Sequence, residues 1–178
     1  MKIVMLNTAT LPVYRDELAL LLIEASHQGV QAGLPCTFEQ REAEDAFHDL
    51  RPALSNNELL LWIARDDQGV AGTLLLNLSH SPDTPHQAEV STLLVCSRAR
   101  RRGVGRLLLR ESENTAQDLR YTLLSSDMQS GSGAEAFYRA QGYRCAPSRA
   151  GSQDYSRKNE VVYYKQLQPI GCFSHSLI

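Results

Sequence analysis

Cysteine is scarce in this sequence, and the four present, Cys36, Cys96, Cys145 and Cys172, are scattered without a Cys-x-x-Cys pair. Such spacing points to neither a zinc ribbon nor a disulfide framework, and a reducing cytoplasm is the simplest expectation. An excess of one charge is missing too. Lys and Arg number 18 against 20 Asp and Glu, a net charge of −2 that favours no nucleic acid or other polyanionic partner. Long apolar runs are absent. Lys2 alone precedes a short apolar stretch at the amino terminus, too little for a signal peptide, and no later run is long enough to span a bilayer, so a soluble protein with no membrane partner is expected. His27, His48, His80, His86 and His175 form no His-x-x-x-His pair and have no adjacent cysteine ligands, so no metal is expected. There is no Gly-x-Ser-x-Gly nucleophile elbow.

What is present is an ordinary globular composition, 43% hydrophobic over 178 residues, enough for one domain to bury a core unaided. No repeat or linker divides it. A single domain is expected over 1–167, with 168–178 as a tail without clear pattern.

The hydrophobic spacing predicts a short strand over Lys2–Leu6 and a helix over Pro12–His27, with Pro12 in its first turn and Gly29 as its stop. A second helical pattern runs from Phe38 to Leu50 with an acidic outer face. Leu59–Ala64 and Val70–Leu78 read as a hairpin joined through Asp66, Asp67, Gln68 and Gly69. After a proline-broken loop from His80 to His86, Ala88–Cys96 resumes as a strand. It leads into Arg100-Arg101-Arg102-Gly103-Val104-Gly105, then a helical pattern to Leu119 and a strand from Tyr121, which together make one βαβ unit. Ser132 and Glu135 have capping-box spacing at the head of a helix that Gly142 ends. Tyr143–Ala146 and Glu160–Lys165 supply the last strands.

A glycine-containing turn at a helix amino terminus offers converging N–H donors and the positive end of the helix dipole to a phosphate. Gly103 and Gly105 allow close backbone approach, and Arg98, Arg100, Arg101, Arg102 and Arg106 surround them with planar forks for phosphate oxygens, although not all five can point inward. On spacing alone the segment also reads as a solvated basic turn, or as an RNA-binding or localisation patch.

The segment resembles the GNAT acetyltransferase family, whose motif is Arg or Gln, two residues, Gly, one residue, then Gly or Ala, between a strand and a helix; Arg100, Gly103 and Gly105 match. Val90–Val95 resembles the family strand that splays from its neighbour and binds the pantetheine arm of acetyl-coenzyme A through its backbone. Leu94 and Val95 are the positions carried over. Ala134-Glu135-Ala136-Phe137-Tyr138-Arg139-Ala140-Gln141-Gly142-Tyr143 is similar to the family's second motif, in which Tyr138 matches the general acid. Three departures stand out: Ser97 where the family often has proline, Arg101 where it often has glycine, and Gly131 where many members have asparagine, a loss that Ser130 or Ser132 is placed to offset.

The resemblance implies an α/β (α+β) fold in one domain, a mixed sheet of about six to seven strands flanked by helices, with acetyl-CoA in the cleft of the splayed central strands. It implies cofactor contacts from Leu94, Val95, Arg100, Arg101, Arg102, Gly103, Val104, Gly105 and Arg106. A backbone N–H near Leu94 is expected to face the thioester carbonyl, and Tyr138 to protonate the leaving thiolate. Glu89 matches a position where many members use glutamate as base. Asp127 is the other candidate for base or for ammonium binding, and the choice stays open. Within the family the chain is most similar to the tabtoxin-resistance acetyltransferases, through Ala88-Glu89-Val90, Asp127, Tyr138 and length.

The implied reaction is N-acetylation of a small-molecule antibiotic or toxin amine, of aminoglycoside type or a tabtoxinine-like β-lactam amino acid. A protein amine, or a noncatalytic acetyl-CoA-sensing or nucleic-acid-binding module, are the alternatives. Trp62, Asn77, Glu89, Asp127 and Tyr155 are the expected substrate contacts, with the loop through His80 and His86. The acidic helix near Glu39–Asp49 reads as a solvated face or as an attractor for a polycation. An exposed carboxy-terminal hairpin is compatible with a homodimer.

Overall fold

A computed structural model describes residues 1–28, 38–78, 86–146 and 160–167. Seven strands form one sheet in the order β1-β2-β3-β4-β5-β7-β6, where β1 is Lys2–Leu6, β2 Leu59–Asp66, β3 Gly69–Leu78, β4 Gln87–Val95, β5 Leu123–Gln129, β6 Arg144–Cys145 and β7 Glu160–Gln166. All neighbours are antiparallel except β4 and β5. That parallel pair needs a crossover, which helix α4, Val104–Asp118, provides. The expected mixed α+β architecture is therefore the one observed.

Helix α1 spans Leu11–His27 with Pro12 in its first turn, where the missing N–H costs no internal bond. It buries Leu11, Leu18, Leu21 and Leu22. The acidic pattern from Phe38 to Leu50 folds as helix α2, Gln40–His48, and is followed by a one-turn helix α3, Arg51–Ser55, with Pro52 in its first turn. Helix α2 begins with a reciprocal capping box between Glu39 and Glu42. The β2–β3 hairpin turns at Gly69, whose φ of +111° suits glycine. Arg98 clamps that turn from outside, donating to Asp66 Oδ2 at 2.8 Å and to the Val70 carbonyl at 3.3 Å. Arg98 is thus committed to the hairpin.

Helix α5 covers Gly133–Ala140 and stops at Gly142, φ +87°. Its expected capping box forms differently. Ser132 is the N-cap residue but makes no side-chain cap bond, while Glu135 accepts from the Gly131 N–H and from the Tyr163 hydroxyl, the latter at 2.6 Å. Tyr163 is fully buried on β7 and offers the stronger partner, so the glutamate ties α5 to the sheet. No described helix is long and apolar enough to cross a membrane. Gly29, Tyr155 and the tail 168–178 lie outside the described residues.

Candidate active site

Strands β4 and β5 pair over only three positions, Gln87 with Leu123, Ala88 with Leu124 and Glu89 with Ser125. Beyond Glu89 they diverge and leave a fork. At its vertex the Ser126 hydroxyl donates to the Val90 carbonyl at 3.0 Å, occupying an acceptor that a continuing parallel ladder would have used. The other edge of β4 stays on β3, where Thr92 faces Leu75 and Val90 faces Leu76, so Ser91 is an extra residue, a β-bulge.

Register decides which backbone groups face the fork. The Cys96 N–H donates to the Ala71 carbonyl on the β3 side at 3.0 Å. Strand alternation then turns the Leu94 backbone toward β3 and the Leu93 and Val95 backbone toward the fork. A Cβ on Gly72 would stand 2.7 Å from the Leu94 carbonyl oxygen, as that orientation requires. Leu93 and Val95, rather than Leu94, thus turn their backbone groups toward the fork. The Val95 carbonyl accepts from Arg100 Nε at 3.3 Å.

At the end of β4 the chain makes a 3₁₀ turn over Ser97–Ala99 and reaches α4 through Arg101 and Gly103, both left-handed, at φ +61° and +80°. Gly103 is the N-cap of α4, which has no side-chain cap and no acidic residue in its first turn. The first-turn N–H groups of Val104, Gly105 and Arg106 are left for an outside acceptor. Nothing lies within 4 Å of a Cβ built on Gly103, and Gly105 packs against Phe137 and Val95, so the loop is open outward and supported from within. Arg101, Arg102 and Arg106 are exposed around it. Arg100 points elsewhere: beyond Val95, its guanidinium reaches Gln28 at the end of α1. Glu24, one turn earlier on α1, accepts from the Ser97 N–H at 2.6 Å. Together they brace the loop against α1. An uncapped helix end with glycine backbone and three exposed guanidinium groups fits the pyrophosphate of a coenzyme.

Tyr138 enters from α5. It is 5% exposed, its ring meets Phe137 and Tyr143 edge-on at centroid distances of 5.3 and 5.1 Å, and its hydroxyl is hydrogen-bonded with Ser126 at the vertex of the fork. Burial pushes its pKa up to about 12; the Ser126 bond opposes the shift and the charge of Glu113 adds to it. The phenol is protonated at neutral pH.

Glu89, Asp127 and Asn77 come together on the opposite face. Asn77 pairs with Glu89 across β3 and β4, Glu89 pairs with Ser125, and Asp127 is two residues beyond Ser125, so all share one side of the sheet. Ser126, and with it Tyr138, belongs to the other side. Half-buried Glu89 has its pKa raised by burial first and by the Asp127 charge second, while the Asn77 amide restrains the rise. Asp127 is exposed.

A family model described as the acetyltransferase (GNAT) family matches residues 27–143. The chain belongs to that family. Among solved structures, a ribosomal-protein-alanine N-acetyltransferase from Brucella melitensis is 19% identical with a TM-score of 0.70, covering 94% of this chain and 100% of that one. An acetyltransferase from Streptococcus agalactiae is 17% identical, TM-score 0.70, over 93% and 98% of the two chains. PaiA N-acetyltransferase from Thermoplasma acidophilum, solved in complex with coenzyme A, is 15% identical, TM-score 0.62, over 93% and 99%. These likenesses are of fold.

Within the GNAT architecture two expected substrate contacts change. Trp62 is 2% exposed, on β2 between Met5 of β1 and Leu74 of β3, and forms part of the core two strands from the fork. It is excluded as a cleft residue. Tyr155 lies outside the described residues, as does His80. Two residues were missed, Ser126 and Leu93. Both owe their positions to where β4 and β5 part and to the bulge at Ser91. Ser132, a candidate for the contact that asparagine makes elsewhere, carries a buried hydroxyl without a hydrogen-bond partner among the described residues.

Proposed function

We propose that this GNAT enzyme transfers the acetyl group of acetyl-CoA to an amine of a small cationic antibiotic or toxin, by direct attack of the amine on the thioester. The observation that carries the proposal is the division of labour across the fork, with carboxylates on one face and a protonated phenol on the other.

The uncapped first turn of α4, with Gly103 and Gly105, would hold the pyrophosphate, aided by Arg101, Arg102 and Arg106. The fork-facing backbone of Val95 and Leu93 would align the pantetheine arm, and the Leu93 N–H would support the oxyanion. On the carboxylate face, Glu89 or Asp127 takes a proton from the substrate ammonium, directly or through water, leaving a neutral amine. A new N–C bond forms as the C–S bond breaks, the nitrogen releases its remaining extra proton to solvent, and Tyr138 gives its proton to the departing sulfur and regains one from solvent.

Substrate preference follows from charge. Glu89 and Asp127 sit close enough for the Asp127 charge to raise the pKa of Glu89. Such a pair favours an amine with positive charge to spare, and α2 carries further acid at Glu42, Glu44 and Asp45. An aminoglycoside-type substrate is the first choice. A tabtoxinine-like β-lactam amino acid, suggested by the sequence resemblance, would bring a carboxylate of its own and need a cation from outside this face.

Thiol release measured against aminoglycosides, β-lactam amino acids, polyamines and peptides tests the proposal. Turnover with one of the first two classes supports it. Turnover confined to peptides would replace it with protein acetylation.

A further inference from the structure

A second group of polar side chains lies behind Tyr138, and the reaction outlined above does not use it. Glu113, in the middle of α4, turns inward. Its Oε2 accepts from Lys165 Nζ of β7 at 2.8 Å, and the two side chains are only 15% and 28% exposed. Glu113 Oε1 and the hydroxyl of Tyr143 are both buried, and the two groups interact with each other. Lys165 Nζ stands 5.5 Å from the centroid of the Tyr143 ring, and that ring meets Tyr138 edge-on.

A chain of contacts thus runs from the ion pair through Tyr143 to the phenol at the fork. A buried carboxylate gives up solvation that an apolar residue at position 113 would not lose. The Glu113 carboxylate acts on both phenols: after burial itself, its charge is the leading cause of the raised pKa of Tyr143, and it raises that of Tyr138 as well. The titratable or polar groups against Tyr138 are Ser126 of β5, Glu113 of α4 and Tyr143 after α5, with Lys165 of β7 one contact behind.

We propose that Glu113, held by Lys165 and packed behind Tyr143, is a positioning residue that keeps Tyr138 in place at the fork. Once Tyr138 has given up its proton, a fixed negative charge behind it opposes a lasting tyrosinate and drives recapture of a proton before the next turnover. The value of this to catalysis rests on the general-acid reading of Tyr138; the coupling itself does not.

The test is a tyrosine titration followed by NMR on the full chain carrying 13Cζ-labelled tyrosine, with the Tyr138 signal assigned by its loss in Tyr138→Phe. In wild-type protein Tyr138 should remain protonated to about pH 11, consistent with a phenol pushed above its ordinary value of about 10. Glu113→Gln is expected to lower its midpoint by about one pH unit or more. Glu113→Asp, which keeps the charge, should hold the midpoint near wild type. In the thiol-release assay Glu113→Gln should lower kcat by about tenfold with KM for acetyl-CoA unchanged. If Glu113→Gln does not fold, Lys165→Met, which leaves the Glu113 charge without its counter-ion, must move the Tyr138 midpoint above wild type. A Tyr138 midpoint that does not move in a folded variant overturns the inference. A midpoint that moves while Tyr138→Phe keeps full turnover sustains the coupling and overturns the general-acid reading instead.

Discussion

Ser126 and Val90 join where β4 and β5 separate, the serine hydroxyl donating to the valine carbonyl at 3.0 Å. The same hydroxyl meets Tyr138. One side chain therefore terminates a ladder and orients an acid. Ser126→Ala leaves the buried carbonyl unpaired and should cost about 1–3 kcal/mol, read as a lower urea midpoint at unchanged slope. An unchanged midpoint would mean that water or a neighbouring group takes over the bond.

Arg101 holds φ at +61°, a conformation that costs a residue with a Cβ roughly 1 kcal/mol. Arg101→Gly should release part of that strain, offset by glycine's greater freedom in the unfolded chain, so its net effect on melting is small. Its affinity for acetyl-CoA should fall by no more than the loss of one exposed charge, because the backbone supplies the main donors.

Gly103→Glu tests the phosphate loop. A Cβ at Gly103 meets nothing within 4 Å, so packing permits the side chain, yet its carboxylate would stand at the donor end of α4 where a pyrophosphate belongs. Acetyl-CoA should raise the melting temperature of the wild type and leave the variant unmoved. Gly103→Ala carries the same backbone strain without the charge and should keep the shift.

Much of the framework around the candidate site is legible in the sequence. The Arg-Gly segment had to sit between a strand and a helix, and β4, α4 and β5 place it there. Tyr138 was separable from Phe137 as neighbours on one helix. Less visible was anything set by register. Whether Leu93 or Leu94 presents its N–H to the fork depends on hydrogen bonds to β3, on a strand distant in sequence, and no local pattern encodes them. Trp62 misled for a related reason: β2 lies inside the sheet with most of its residues buried, so an aromatic side chain there shows no alternation to separate core from cleft. Helix α3 escaped because Pro52 reads as a break when it is in fact a first-turn residue. Glu113 and Lys165 are 52 residues apart, beyond any spacing rule.

The carboxylate face makes its own prediction. Burial and the charge of Asp127 both raise the pKa of Glu89. If Glu89 is the base, kcat/KM should rise with pH through that raised value, since the carboxylate must lose its proton to act. Asp127→Asn removes the like charge and lets Glu89 ionise more easily, so the rising limb should move to lower pH. Glu89→Gln should abolish the limb. A limb that persists in Glu89→Gln but vanishes in Asp127→Asn would assign the base to Asp127.

The mechanism we propose depends most on the Tyr138 hydroxyl. Tyr138→Phe keeps the ring, its edge-on contacts and the fold, and removes only the proton donor. The most direct measurement is kcat by thiol release for this variant beside its calorimetric affinity for acetyl-CoA. A drop in kcat of about 10²-fold or more with affinity preserved is the predicted result. Full turnover in the variant would contradict the account.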